Sequence, residues 1–257
     1  MRMRSPIPAL LLSLLCAAAC CAAATVSAEV SAEAPARSAA DRERDARDHP
    51  AEVLAFAGIK RGDRVADVFG GAGYYSELLQ HAVGDSGHVL LLNNGGYQAY
   101  AKQGQAERFA DGRLAQVERR VAEAADLGLG EAQFDAIVMV MAFHDVYWVD
   151  EKEGWPAIDR SKFNAQLARA LKPGGVLLIV DHAARDGTGM DAVNALHRID
   201  EAFVRRELEQ AGLSFDGSLD LLRHPEDDRS KHVFDAAIRG NTDRFVHRYR
   251  KAAKSGQ

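Results

Sequence analysis

The chain has 257 residues, 47% hydrophobic and 27% charged, ordinary globular usage and enough for one well-buried α/β core, so one domain is the default. The formal net charge is -5 and no Lys/Arg block exceeds a few residues, which argues against a nucleic-acid partner and for a small-molecule substrate. All three cysteines, Cys16, Cys20 and Cys21, fall within the first 21 residues, so the body of the chain holds neither a disulfide framework nor a thiol nucleophile.

The N-terminus reads as a targeting segment. Arg2 and Arg4 make a basic start, Ile7 to Leu15 an apolar centre, and small residues follow, the order expected of a secretory signal. Cleavage after Ala28, with Ala24 as a second site, would free a periplasmic or secreted protein whose only membrane contact is this signal segment. Acylation of Cys20, giving a lipid-anchored protein, and an uncleaved anchor over Ile7 to Val26 are the competing readings. Residues 29–40 are rich in Ala, Ser and Glu with Pro35 and are expected to be a flexible spacer, leaving 41–257 as the folded domain.

Asp41 to Gly58 predicts a helix interrupted near Pro50. Arg64 to Phe69 then predicts a strand, followed by a glycine cluster and an amphipathic helix from Tyr74 to Ala82, which Gly84 closes. Gly87 to Leu92 predicts a buried strand, Ala99 to Ala110 a helix, and Leu114 to Val121 an edge-like strand. The near-continuous apolar run Phe134 to Phe143 marks a strand covered on both faces. A helix over Ser161 to Leu171 is stopped by Pro173-Gly174-Gly175, and Val176 to Val180 is again fully apolar. A long helix over Met190 to Ala211 ends at Gly212, and Leu219 to Leu222 and His232 to Ile238 are expected to finish the sheet. Strands and helices alternating in this way imply an α/β, doubly wound, mostly parallel seven-stranded sheet with helices on both faces.

In such sheets ligands bind beyond the carboxyl ends of the strands. The first strand runs into Asp67-Val68-Phe69-Gly70-Gly71-Ala72-Gly73, a turn that lets a ligand approach the backbone and leads into a helix N-terminus, where unpaired N–H groups favour an anionic group. Alone this motif is shared by several classes of nucleotide binder, or is a tight turn and nothing more. A dinucleotide fingerprint would want a further glycine where Ser76 stands and an acid where the second strand ends in Asn93-Asn94.

With these pieces in order the chain resembles a class I S-adenosylmethionine-dependent methyltransferase. VADVFGGAG is similar to the family's first motif, VAEAADLGLGEAQFDAIVM to its acid-containing loop and fourth strand, and ARALKPGGVLLIVD to its post-catalytic helix, turn and fifth strand. The stretches GYYSELL, DHAA and HRID resemble a group of exported bacterial methyltransferases of unknown substrate. The resemblance implies S-adenosyl-L-methionine as cofactor, held by Asp67, Gly71, Gly73, Asn93 and Glu123. Phe69 replaces the usual first glycine, and Asn93 the usual acid at the ribose. It further implies methyl transfer to oxygen, nitrogen or sulfur of a small or medium-sized molecule. The alternative is an exported non-catalytic domain that keeps the fold.

Candidates for the chemistry lie at two strand ends: His144 and Asp145 after the fourth strand, Asp181 and His182 after the fifth. His144 is expected to be the base or substrate-orienting group, its imidazole near the ordinary pKa of about 6.5. His197 and Asp200 are expected on one face of the long helix, and Tyr147, Trp148 and Trp155 either wall a pocket or pack under a loop. No metal signature fits the spacing, so no metal is expected.

Overall fold

The computed structural model describes residues 37–153 and 155–253. The chain begins there with α1 (Ala39–Asp48), capped by Ser38, whose hydroxyl accepts the Asp41 N–H at 3.0 Å. Helix therefore starts inside the span expected as a spacer, while the signal segment and its cleavage sites lie outside the described residues. His49 takes a left-handed conformation, and Pro50, which has no N–H to donate, opens α2 (Pro50–Ala57), ended by Gly58 at φ 74°.

Five strands run parallel: β1 (Arg64–Val68), β2 (His88–Asn93), β3 (Val117–Val121), β4 (Phe134–Val140) and β5 (Leu171–His182). Between them lie α3 (Tyr74–Val83), α4 (Gly95–Arg108) and α5 (Arg160–Ala170). Then come α6 (Val193–Leu196), α7 (Glu201–Gln210), β6 (Leu213–Ser218) and β7 (Arg244–Lys251). The sheet order is β3-β2-β1-β4-β5-β7-β6, with β7 antiparallel to both neighbours. This is the expected seven-stranded, mostly parallel sheet. Strand order reverses between β1 and β4, which opens a crevice at their carboxyl ends.

Alternation along each strand divides the core. Ala66, Leu90, Ile137 and Leu177 point into one cluster, and Val65, Val89, Val138 and Leu178 into the other, so both faces of the sheet are covered. Ion pairs tie α1 to the rest: Arg108 bridges Asp41 at 2.8 Å and the buried Glu77, and the Arg44 guanidinium lies 3.7 Å over the Tyr74 ring. The first helix is thereby fixed against the residue that follows the glycine turn.

Two expectations for the last third are corrected. The helix predicted over Met190 to Ala211 is two helices, because Ile199 makes a parallel bridge to Ala183 and the Asp200 carboxylate caps α7 by accepting the Ala202 N–H at 2.8 Å. His197 lies in the break at φ 51° and shares no helix face with Asp200. Leu219 to Leu222 and His232 to Ile238 are turns rather than strands, and the sheet is finished by β6 and β7.

Candidate functional site

The first half of the site is the glycine turn. Asp67 is buried at the end of β1, where its carboxylate accepts the Ser76 hydroxyl at 2.7 Å. Burial pushes its pKa up to about 6 despite that bond. A Cβ on Gly70 would stand 2.4 Å from this carboxylate, so the backbone passes over Asp67 only as glycine. Phe69 keeps the left-handed backbone (φ 57°) that a glycine would adopt freely. Its ring offsets the strain by packing in the core, stacked on Tyr97 with centroids 5.0 Å apart and against Phe163.

Asn93 does not present a free amide where the sequence suggested a ribose contact. Its Oδ1 accepts the Gly71 N–H at 3.0 Å and its Nδ2 donates to the Gly71 carbonyl at 2.9 Å, while Gln105 Nε2 donates to the same carbonyl at 2.8 Å. Both ends of the side chain therefore staple the turn. The two glycines beyond it differ in a way the sequence could not show. At Gly73 a Cβ would meet Phe109 at 3.1 Å and Leu91 at 3.3 Å, inside the protein, whereas at Gly71 (φ 59°) it would meet nothing within 4 Å. Gly71 thus faces open space, while a side chain at Gly73 would crowd the protein itself. Glu123 is exposed after β3, where its Oε1 accepts the Gly95 N–H at 3.1 Å.

The second half lies at the ends of β4 and β5. Met141 turns sharply at φ 53°, which swings His144 into a short 3-10 turn beside β5. Asp181, fully buried, grips His144 twice: Oδ2 accepts its backbone N–H at 2.7 Å and Oδ1 stands 2.7 Å from its Nδ1. On the other edge of the ring, Nε2 lies 3.2 Å from Asp145 Oδ1 and 3.3 Å from His197 Nδ1. The other oxygen of Asp145 accepts the Tyr97 hydroxyl. Tyr97 thus reaches from the glycine turn, through its ring, to the second cluster, through its hydroxyl.

Burial alone would drive the His144 imidazole down, but the Asp145 and Asp181 carboxylates outweigh it and hold the group well above the ordinary range. The expectation of an unperturbed imidazole is corrected: two buried carboxylates raise the affinity of the ring for its proton. Burial also raises Asp145, and the contact with His144 more than reverses this, leaving its carboxyl below the usual range. His182, buried and next to His144, is held well below the ordinary imidazole range. Its Nδ1 lies 2.7 Å from the Thr242 hydroxyl, and its ring centroid 5.9 Å from that of His144.

His144, Asp145 and Asp181 therefore come together as their strand ends suggested, with His182 beside them and turned to Thr242. His197, expected on a solvated helix face, is a full member of the cluster. Tyr97 gave no sequence signal, since it sits on the first turn of α4 and its partner is 48 residues away. Trp148 and Trp155 meet edge to face at 5.1 Å, Trp155 against Tyr97 and Trp148 against His197, so these indoles join the two halves. Tyr147 is buried and packs on Phe203.

Residues 66–179 match the family described as a methyltransferase domain. The chain is similar to the ubiquinone/menaquinone biosynthesis C-methyltransferase UbiE of Teredinibacter turnerae, 29% identical over 129 residues that make up 50% of this chain and 47% of that one. The Vibrio campbellii protein of the same name is 25% identical over 186 residues, 72% of this chain and 64% of that one. The chain spans about half the length of the first of these relatives. Among solved structures, a SAM dependent methyltransferase from Aquifex aeolicus superposes with a TM-score of 0.53 at 23% identity, over 78% of this chain and 88% of the other. The [4+2]-cyclase SpnF does so with a TM-score of 0.54 at 19% identity, over 84% and 82%.

The fold is thus one shared with solved methyltransferases, and residues 66–179 match a methyltransferase domain. The residues present fit the cofactor that the sequence resemblance implies, S-adenosyl-L-methionine. Gly71 leaves the turn open, the α3 N-terminus offers N–H groups to a carboxylate, and the exposed Glu123 carboxylate can accept from an exocyclic amine.

Proposed function

We propose that this chain is an S-adenosylmethionine-dependent methyltransferase acting on a small molecule, with the acceptor taken up at the His144–Asp145–His197 cluster. The observation that carries the reading is the open face of Gly71 at the sheet's point of reversal, within a span that matches a methyltransferase domain. The fold alone would not suffice, because a cyclase shares it. The non-catalytic alternative has no comparable support, since the turn, the Glu123 carboxylate and the charged cluster are all present.

The cofactor supplies an electrophilic methyl group when bound. Gly71 and the α3 N-terminus would hold its amino-acid end and Glu123 its adenine. The protein's remaining task is orientation, and well-aligned reactants gain roughly 7–11 kcal/mol over free encounter. Asp181 fixes the His144 ring, Tyr97 fixes Asp145, and the two tryptophans bridge the halves through their ring contacts with Tyr97 and His197. The acceptor atom, whether oxygen, nitrogen or sulfur, is left open by this arrangement.

Calorimetry on the full chain with S-adenosylmethionine, S-adenosylhomocysteine and NAD tests the reading: the first two should bind one per chain and NAD should not. Binding of NAD alone, or of none of the three, would overturn it. Export through the N-terminal segment is proposed on the sequence alone. Cell fractionation with intact mass should find a shortened chain outside the cytoplasm, and a full-length cytoplasmic chain would refute it.

A further inference from the structure

Three atoms of the acceptor cluster point at one another, and each offers a lone pair to an ion once the ion has displaced the proton from His144 Nε2, as metal binding to imidazole requires. The separations are 3.2 Å from His144 Nε2 to Asp145 Oδ1, 3.3 Å from His144 Nε2 to His197 Nδ1, and 3.6 Å from His197 Nδ1 to Asp145 Oδ1. A tetrahedral zinc ion with bonds of about 2.0–2.1 Å has ligand-to-ligand edges of about 3.3 Å. An octahedral ion with bonds of the same length would want edges of about 2.9 Å. The observed triangle fits the tetrahedron, and three protein ligands leave its fourth corner free.

We propose that His144 Nε2, Asp145 Oδ1 and His197 Nδ1 form a binding site for a divalent transition-metal ion of the zinc class, with one coordination position open to the acceptor. Two imidazoles and one carboxylate suit zinc or cobalt and not magnesium or calcium, which take oxygen. The surroundings are those of a built site. The far nitrogen of His144 is held by the buried Asp181, and the far oxygen of Asp145 by the Tyr97 hydroxyl, so two of the three ligands are oriented from behind. His197 is aimed by a left-handed backbone (φ 51°), a conformation rare outside glycine that persists where the surroundings enforce it. Arg198 next to it is fully buried and bonded to Ala183, Lys231 and Asp227, which supplies that enforcement. His197 is also the most exposed of the three, with Trp148 and the exposed Phe234 at its ring, so an ion has a way in.

The site itself is independent of the methyl-transfer reading. Its use rests on that reading: an ion here would take a hydroxyl or thiol of the acceptor at its free corner and lower that group's pKa, the proton leaving to solvent. The acceptor class is then a small molecule with a metal-coordinating oxygen or sulfur.

The test is titration of the chelator-stripped full chain with Co(II), read by the intense visible bands of tetrahedral cobalt, then displaced with Zn(II). One ion per chain is expected, with no cofactor present, so failure of cofactor binding leaves the readout untouched. His197→Asn keeps a residue that tolerates the left-handed backbone, and Asp145→Asn keeps the shape. Each should weaken Co(II) by more than the roughly 10–100-fold expected of Asp181→Asn, which acts from behind His144. His88→Ala, removing a surface histidine paired with Glu118, should change nothing. Metal-free melting curves confirm folding, and if His197→Asn fails to fold, Asp145→Asn and Asp181→Asn decide. Absence of tetrahedral bands, or unchanged affinity in the folded ligand variants, would overturn the proposal.

Discussion

Gly71→Ala separates a ligand-facing glycine from a packing one. Gly71 sits at φ 59° with no atom within 4 Å of the position a Cβ would take. An alanine there costs only the left-handed backbone, roughly 1–2 kcal/mol, and collides with nothing in the protein. For a chain of this size the melting temperature should fall by about 2–8 °C. The Asn93 bonds to the Gly71 N–H and carbonyl survive, since both are backbone groups. Affinity for S-adenosylhomocysteine, measured by calorimetry well below the transition, should drop at least tenfold, or about 1.4 kcal/mol, because the new methyl enters the space the ligand's amino-acid end approaches. Gly73→Ala should show the opposite balance. It bears the same kind of backbone strain at φ 84° plus crowding against Phe109 and Leu91 at 3.1 and 3.3 Å, a further 1–3 kcal/mol or so for overpacking. Its stability should suffer more than that of Gly71→Ala. If Gly71→Ala stayed folded and bound S-adenosylhomocysteine as wild type does, the ligand would not pass over this turn and the cofactor assignment would fall.

Asp67, raised from 3.8 to about 6 by burial, binds its proton more tightly folded than unfolded. This group's contribution should therefore be fully present below about pH 4 and lost as pH rises towards about pH 6, a change of roughly 3 kcal/mol. Urea unfolding of wild type and Asp67→Asn at about pH 5 and about pH 8 should show the difference between the two proteins growing with pH in favour of the variant, and an equal pH response would refute the burial argument. Arg198→Met strips the fully buried Asp227 contact of 2.8 Å and leaves its carboxylate without a cation, a loss of about 3–5 kcal/mol. Thermal unfolding should show it, and a loss under about 1 kcal/mol would mean that the loop holding His197 is stabilised by other means.

Much of the fold was legible because covered parallel strands advertise themselves. Phe134 to Val140 and Val176 to Val180 are runs of apolar residues that only a two-sided core can accept, and the glycine cluster after β1 could hardly be anything but a turn. The final strand was harder to see. In β7, Arg244, Arg248 and Arg250 break up Phe245, Val246 and Tyr249, and their charges are accommodated by Asp48 and Asp216, each far away in sequence. Periodicity also misled at 190–211, where the apolar spacing suits a helix but the side chain of Asp200 and the Ala183–Ile199 bridge impose a break.

The site divides along the same line. Asp67, His144, Asp145 and Asp181 could be named because a residue at the carboxyl end of a parallel strand has a place in the fold before any contact is known. His197 had no such place. It is 53 residues from His144 and 37 residues separate His144 from Asp181, and no spacing rule spans such distances when the chain between them includes a whole strand and a broken helix. Had 190–211 been one helix, the ring of His197 would have followed the helix face; the break alone delivers it to Asp145. The feature that spoiled the secondary-structure reading is therefore the one that completes the cluster, and the absence of a metal motif in the sequence follows from the same break, since the third ligand is supplied by tertiary structure rather than by a repeat along one element.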